Sequence, residues 1–298
     1  MKRSTWILLV ILGLLIIATL LVFQRPGETS SSGLLGETLV QLDSAAIDRI
    51  DITSPSGEVS IVREGARWML TTPAGRYPAD ESAVATAVGA ASRLELRSLV
   101  SSNPEKQHLF QVDSSGTSVR LFDHGTERAA IRVGKAGSSY TGTYVRQEAS
   151  DEVYLADGVI SHLFNRKPEN WRDKRILTTR EEEIERVGFQ YGDTTFTLAL
   201  QDSVWRVDGI PAVDPTVKSF LGSLSRLVAD AFVDSSITLP EPVASLDVDG
   251  TKLTFHPSSA PNKYYIRASS GPQIFEVYAW RVTQVLKRMK DFLGSTPQ

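Results

Sequence analysis

The chain of 298 residues contains no cysteine. That single absence removes disulfides, thiolate metal sites, a thiol nucleophile and the acylated cysteine of a lipoprotein anchor, while leaving the redox compartment open. Net charge is also scarce. Lys and Arg number 32 against 35 Asp and Glu, a net charge of -3 with no basic stripe to follow a phosphate backbone, so nucleic acid is not an expected partner. The histidines His108, His124, His162 and His256 stand apart, without H-x-x-x-H or a carboxylate at ligand spacing, and read as exposed loop residues rather than metal ligands. There is no G-x-S-x-G elbow and no Ser-Lys dyad spacing. "VGKAGSSYTGTY" lacks the spacing of a phosphate loop and runs into a strand, so it reads as a hairpin loop that offers Tyr140 and Tyr144 to a partner or glycan. "DVDG" at 247–250 lacks the later acidic ligands of a calcium loop and reads as a tight type I′ turn. Glu181, Glu182 and Glu183 read as a solvated charge run. No catalytic residue, cofactor or metal is expected.

What the chain does have is one long apolar run. Lys2 and Arg3 precede Trp6 to Phe23, which as a helix would be about 27 Å long, close to the hydrocarbon thickness of a bilayer. A cleaved leader is the competing reading, but the core is long for one and the nearest small-residue stretch, "TSSSG", lies well past Phe23. The excess of positive charge before the run places the N-terminus in the cytoplasm and everything after Gln24 outside, an inner or cytoplasmic membrane address. Gly13 stands alone in the run, so no G-x-x-x-G face argues for dimerisation. Residues 27–38, "GETSSSGLLGET", form a flexible tether.

The remainder repeats itself. "IDRIDI" at 47–52 aligns with "IERVGF" at 184–189, Trp68 with Trp205, Asp80 with Asp214, Leu94 with Leu227, and "YVR" at 144–146 with "YIR" at 265–267. "VYLADGVISHLF" aligns with "VYAWRVTQVLKR", and Asp173 with Asp291. "IDRIDIT" and "EVSIVRE" flank "SPSG" as a hairpin, and "RWML" adds a strand. Asp80 and Asp214 read as N-caps, the latter followed by Pro215, and the apolar positions behind each have helical spacing. Four strands are expected between Ser118 and Leu155, a short helix near residues 157–165, and one C-terminal helix near residues 278–293. The expected class is α+β. A membrane anchor (1–26) and tether (27–38) precede a first repeat (39–177) and a shorter second repeat (178–298), each an antiparallel sheet with one or two packed helices. Trp68, Trp205, Asp80 and Asp214 are the expected structural anchors.

The "IDRI", "W…YPAD", "VGKAG…YVR…VYL" and "WRD" series resembles the DUF4340 family of bacterial membrane-anchored proteins of unknown function, over nearly the whole chain after the anchor. That family is similar to components associated with ABC-2-type and gliding-motility-like transporters. The resemblance implies an extracytoplasmic accessory subunit whose partner is an envelope membrane protein such as a transporter permease. It brings no catalytic residues. "NWRDKRIL" at 170–177 sits where the copies join, with Trp171 able to pack and Arg172 and Asp173 able to pair, and Trp171 and Arg172 are candidate partner contacts beside Tyr140 and Tyr144. The expected function is a non-enzymatic, membrane-anchored binding or scaffold subunit. The alternative is an envelope hydrolase or glycan-modifying enzyme with a site between the repeats, which needs a cluster of polar residues in one copy that breaks the repeat symmetry, paired carboxylates being the simplest candidates.

Overall fold

The computed structural model describes residues 36–73, 75–233 and 236–294. The described residues are 45% strand and 21% helix, arranged as two large antiparallel sheets, so the chain is mostly β and the α+β class expected from the sequence is corrected. Most of the helices span only one or two turns, so strand residues outnumber helical ones about two to one. The expected membrane span and residues 27–35 of the expected tether lie outside the described residues, among which no helix is long and apolar enough to cross a membrane, while the end of that tether is corrected, since Thr38 already begins a strand. Two compact units part between Trp171 and Arg172.

The first unit contains β1 (Thr38–Gln41), β2 (Arg49–Ser54), β3 (Gly57–Glu64), β4 (Arg67–Thr72), β5 (Gly75–Pro78), α1 (Glu81–Ser92) and β6 (Arg93–Ser101). After these come α2 (Gln107–Phe110), β7 (Thr117–Asp123), β8 (Thr126–Ala136), β9 (Gly142–Gln147), β10 (Val153–Asp157) and α3 (Ser161–Phe164). The sheet order is β1-β6-β10-β9-β8-β7-β2-β3-β4-β5. Alternation drives it: Ile50 and Ile52, Val59 and Ile61, Trp68 and Leu70 face one buried side, which α1 covers with Ala83, Val84, Ala87, Val88 and Ala91. The Asp80 carboxylate caps α1 by accepting from the Ala83 amide at 3.0 Å.

The second unit contains β11 (Arg186–Tyr191), β12 (Thr194–Gln201), β13 (Val204–Val207), β14 (Ile210–Pro211), α4 (Asp214–Ser225), β15 (Ala231–Val233) and β16 (Ala244–Val248). It ends with β17 (Thr251–Pro257), β18 (Lys263–Ala268), β19 (Ile274–Tyr278), α5 (Ala279–Val285) and α6 (Met289–Leu293). Its order, β14-β13-β12-β11-β16-β17-β18-β19-β15, reproduces the first sheet strand for strand from β5 back to β6. The Asp249-Gly250 turn has positive φ at both residues, 47° and 89°, as a type I′ hairpin requires. The core here is aromatic, with Phe189 stacked on Phe196 at 4.4 Å and Phe292 edge-on to Phe220 at 5.3 Å.

Register fixes the equivalences more finely than sequence could. Ala79 donates to the Trp68 carbonyl and Ala212 to the Trp205 carbonyl, each at 2.9 Å, so the residue before the first helix is Asp80 in one copy and Val213 in the other. Val213 is the N-cap of α4 and Asp214 is its first residue, which corrects the pairing of the two aspartates; Asp214 acts through its charge at the helix N-terminus. Residues 174–176 open the second copy: Arg175 bridges Val228 and Ala229 donates to the Lys174 carbonyl at 2.8 Å, repeating the contacts of β1 with β6. Trp171 therefore matches Phe292, because the Asp80 amide donates to Trp171 O and the Val213 amide to Phe292 O, both at 2.8 Å. The single C-terminal helix expected over 278–293 is broken into α5 and α6, since the Lys287 carbonyl accepts from the Tyr191 hydroxyl at 2.6 Å and Asp291 restarts the helix through the Arg288 amide at 2.7 Å.

Trp171→Ala is expected to destabilise the first unit by about 3–5 kcal/mol, and Asp80→Ala by about 1 kcal/mol. Native-state amide exchange, read separately for the two units, checks both. Equal loss of protection in both would contradict the placement of Trp171 in the first core alone.

Candidate functional site

Two features break the symmetry of the copies, and each lies within one unit. The first is a cleft of about 720 Å³ in the first unit, walled by Leu39–Leu42 on one side and by Glu127–Ile131 with Gln147–Ala149 on the other. It exists because the β7–β8 hairpin is long. Ile52 pairs with Val119 as Phe189 pairs with Leu246, yet β7 continues past Leu121 to Asp123 whereas β16 stops at the matching Val248. Gln147 Nε2 spans the cleft to the Leu39 carbonyl at 3.2 Å.

Glu148 anchors the cleft floor. Its amide donates to the Ala130 carbonyl at 2.9 Å, and its carboxylate accepts from Ser118 Oγ at 3.1 Å and from Arg120 and Arg132, each at 2.9 Å. Burial pushes this carboxyl up, but the Ser118 hydroxyl and the two guanidiniums together outweigh it and hold the group below its ordinary value. Arg146 then ties the following turn, donating from Nη1 to the carbonyls of Gln147, Glu148 and Ser150 and from Nε to that of Val112. A carboxylate held ionised in this way is a poor general acid at neutral pH, so the cleft offers hydrogen-bonding edges rather than an acid-base pair.

The second feature lies in the second unit, where a groove of about 490 Å³ runs between Trp205 and the Asp214, Pro215, Val217, Lys218 and Leu221 positions of α4. Trp68 and Trp205 occupy the same register but not the same surroundings. Arg63, directly across from Trp68, lays its guanidinium 4.6 Å from the ring centre and donates to the Ala45 carbonyl at 3.0 Å. The matching residue across from Trp205 is Leu200. Tyr77 is likewise matched by Ile210 and Asp80 by Val213. Leu200, Ile210 and Val213 are 40%, 50% and 37% exposed, so a rim that is charged or hydroxylated in one copy is bare hydrocarbon in the other.

The sequence-derived candidates scatter. Trp171 is fully buried in the first core, with no hydrogen-bond partner for its indole Nε1, so its side chain is not exposed to a partner. Arg172 belongs to the second unit, with its guanidinium 3.7 Å from the Phe232 ring centre and hydrogen-bonded to Gln273. Asp173 pairs with Arg175 at 2.7 Å rather than with Arg172. Tyr144 packs on Phe110 at 4.8 Å, and Tyr140 alone of the four is open, 79% exposed on the β8–β9 connection. His256 is buried rather than exposed, its Nδ1 2.6 Å from the Pro240 carbonyl. Among the described residues no group of three or more His, Asp or Glu could hold a metal ion. Gln147, Glu148, Leu200 and Ile210 carried no signal in the sequence; only register alignment of the copies exposes them.

A family model described as a domain of unknown function, DUF4340, matches residues 68–244, more than half of the chain though less than the extent expected from sequence. No curated protein and no solved structure matches it.

Because the folded Glu148 carboxyl titrates below its unfolded counterpart, its contribution to stability is full above the unfolded value of about 4.5 and is lost as pH falls through the folded one. Glu148→Gln is expected to lose less stability on acidification below that value than the parent chain, and carboxyl NMR of Glu148 should give a midpoint below 4.5. A midpoint at or above 4.5 contradicts the arrangement.

Proposed function

The chain belongs to the DUF4340 family, whose description assigns no activity, and we infer from its geometry that it is a non-enzymatic binding or scaffold subunit. It is held at the outer face of the cytoplasmic membrane by residues 1–26 and engages another envelope component. One observation carries the reading. Leu200, Ile210 and Val213 replace Arg63, Tyr77 and Asp80 around an otherwise repeated tryptophan. Folding does not demand those exposed apolar side chains, since the first copy forms the same sheet without them. Full burial of a Leu or Ile side chain is worth about 1.5–3 kcal/mol, and Leu200 and Ile210, 40% and 50% exposed, have about 1 kcal/mol each left to gain against a partner, so a short rim beside a partly buried Trp can contribute to the centre of a docking patch. The apolar run at Trp6–Phe23 supports a membrane address, and the partner proposed is an integral membrane protein such as a transporter permease.

A photo-crosslinking residue at position 200 or 210 is expected to join the protein to a membrane protein in intact cells, while the same residue at position 63 or 77 does not. With the crosslinking residue at position 200, Ile210→Glu should reduce that adduct at least roughly tenfold, as should Leu200→Arg with the crosslinking residue at position 210, and each substitution should change stability by less than about 0.5 kcal/mol, as surface substitutions do. Equal crosslinking from both copies, or an adduct indifferent to the substitution at the neighbouring position, would overturn the reading.

A further inference from the structure

We propose that the cleft of the first unit is a strand-acceptor site, which takes an extended polypeptide segment by pairing its backbone between β1 and the leading end of β8. The proposal does not depend on the apolar rim of the second unit. Two sheet edges face one cavity. β1 is the terminal strand of its sheet and pairs with β6. β8 begins at Thr126, but its pairing with β9 begins only at Ile131, because β9 ends at Gln147 and the chain turns away once the Glu148 amide has met the Ala130 carbonyl. Residues 126–130 thus have β7 on one side, and no strand among the described residues pairs with them on the other. Open strand edges are the template for adding a strand.

The Leu39 carbonyl shows what the gap asks for. It accepts a side-chain amide from Gln147, the same donor chemistry that a backbone amide would bring. The second copy shows the edge closed. There the Ser269 amide donates to the Lys252 carbonyl, as Glu148 does to Ala130, and the Ser269 hydroxyl also accepts from the Lys252 amide at 2.9 Å. Glu148, in the place of Ser269, sends its carboxylate to Ser118, Arg120 and Arg132 instead. The four residues of β1 give a wall about 13 Å long, room for a strand of similar length. Leu39, Leu42 and Ala129 present apolar surface from the core side, whereas Gln41, Glu127 and Arg128 are exposed at the rim. The fitting occupant alternates small apolar with uncharged polar residues and lacks proline, which has no amide to donate.

The natural chain has no cysteine, so Glu127→Cys in the full-length protein creates a unique attachment point. A Val-Thr-Val-Thr-Val peptide with a terminal cysteine, joined there by a disulfide, is presented at an effective concentration on the order of millimolar. Amide exchange at residues 39–42 and 126–130 is expected to slow roughly tenfold, and a backbone N-methylated version of the peptide to leave it unchanged. No slowing, or equal slowing by the methylated peptide, overturns the proposal. So does strong protection of both edges before any peptide is attached, which would mean that residues 27–35 of the chain itself fill the cleft.

Discussion

Each unit is closed by the same backbone hydrogen bond, from the residue before its main helix to the carbonyl of its last large core aromatic: Asp80 to Trp171, and Val213 to Phe292, both at 2.8 Å. A helix lying on a sheet has orphan amides at its start, and here the returning chain satisfies one of them while delivering a ring to the core. The two cores solve the volume problem differently. In the first, α1 presents alanines and small valines and the delivered ring is an indole; in the second, α4 presents Phe220, Leu221 and Leu224 and the delivered ring is a phenyl. A large residue at one position accompanies small ones at the other, as close packing requires.

Much of this fold could be read before any coordinates. Alternation in "IDRIDIT" and "EVSIVRE", the Asp80 cap, the positive-φ turn at Asp249-Gly250 and the four strands between Ser118 and Leu155 are local signals, and each has a local physical cause. What escaped was non-local. β1 and residues 174–176 carry no strand pattern of their own, so by sequence alone residues 174–176 fall in the first repeat rather than at the start of the second, and the aspartate pairing slips by one because a cap can be filled by Val213 when Asp214 and Pro215 follow. Counting elements rather than residues made an α+β protein of a β-rich one, since the helices outside α1 and α4 span only one or two turns.

The functional surface was far less legible. Trp171 and Arg172 drew attention because tryptophan and arginine are common in interfaces, but composition cannot say which way a ring points, and this one points into a core. Leu200 and Ile210 drew none, because single apolar residues in strands are ordinary. They become informative only beside Arg63 and Tyr77, and that comparison needs the ladder register of β3 with β4 and of β12 with β13. Glu148 likewise gains meaning from Ser118, Arg120 and Arg132, which are brought to it by strands adjacent in the sheet but distant along the chain.

Duplication explains why such differences sit where they do. A closing hydrogen bond and an alternating core constrain both copies alike, so what remains free to diverge is the side chains on the rim and the length of a hairpin. The second copy has used the first freedom: Leu200 in place of Arg63 changes no backbone group but uncovers the face of Trp205. The first copy has used the second: a longer β7–β8 hairpin leaves side chains aside and exposes backbone edges. These freedoms have different chemistry. Apolar area is read by shape and is insensitive to the partner's backbone, whereas a strand edge is read through amides and carbonyls that every sequence but proline provides. On the two proposals made above, one unit offers a shape-selective surface and the other a sequence-tolerant one, a division that suits the proposed role of holding rather than transforming.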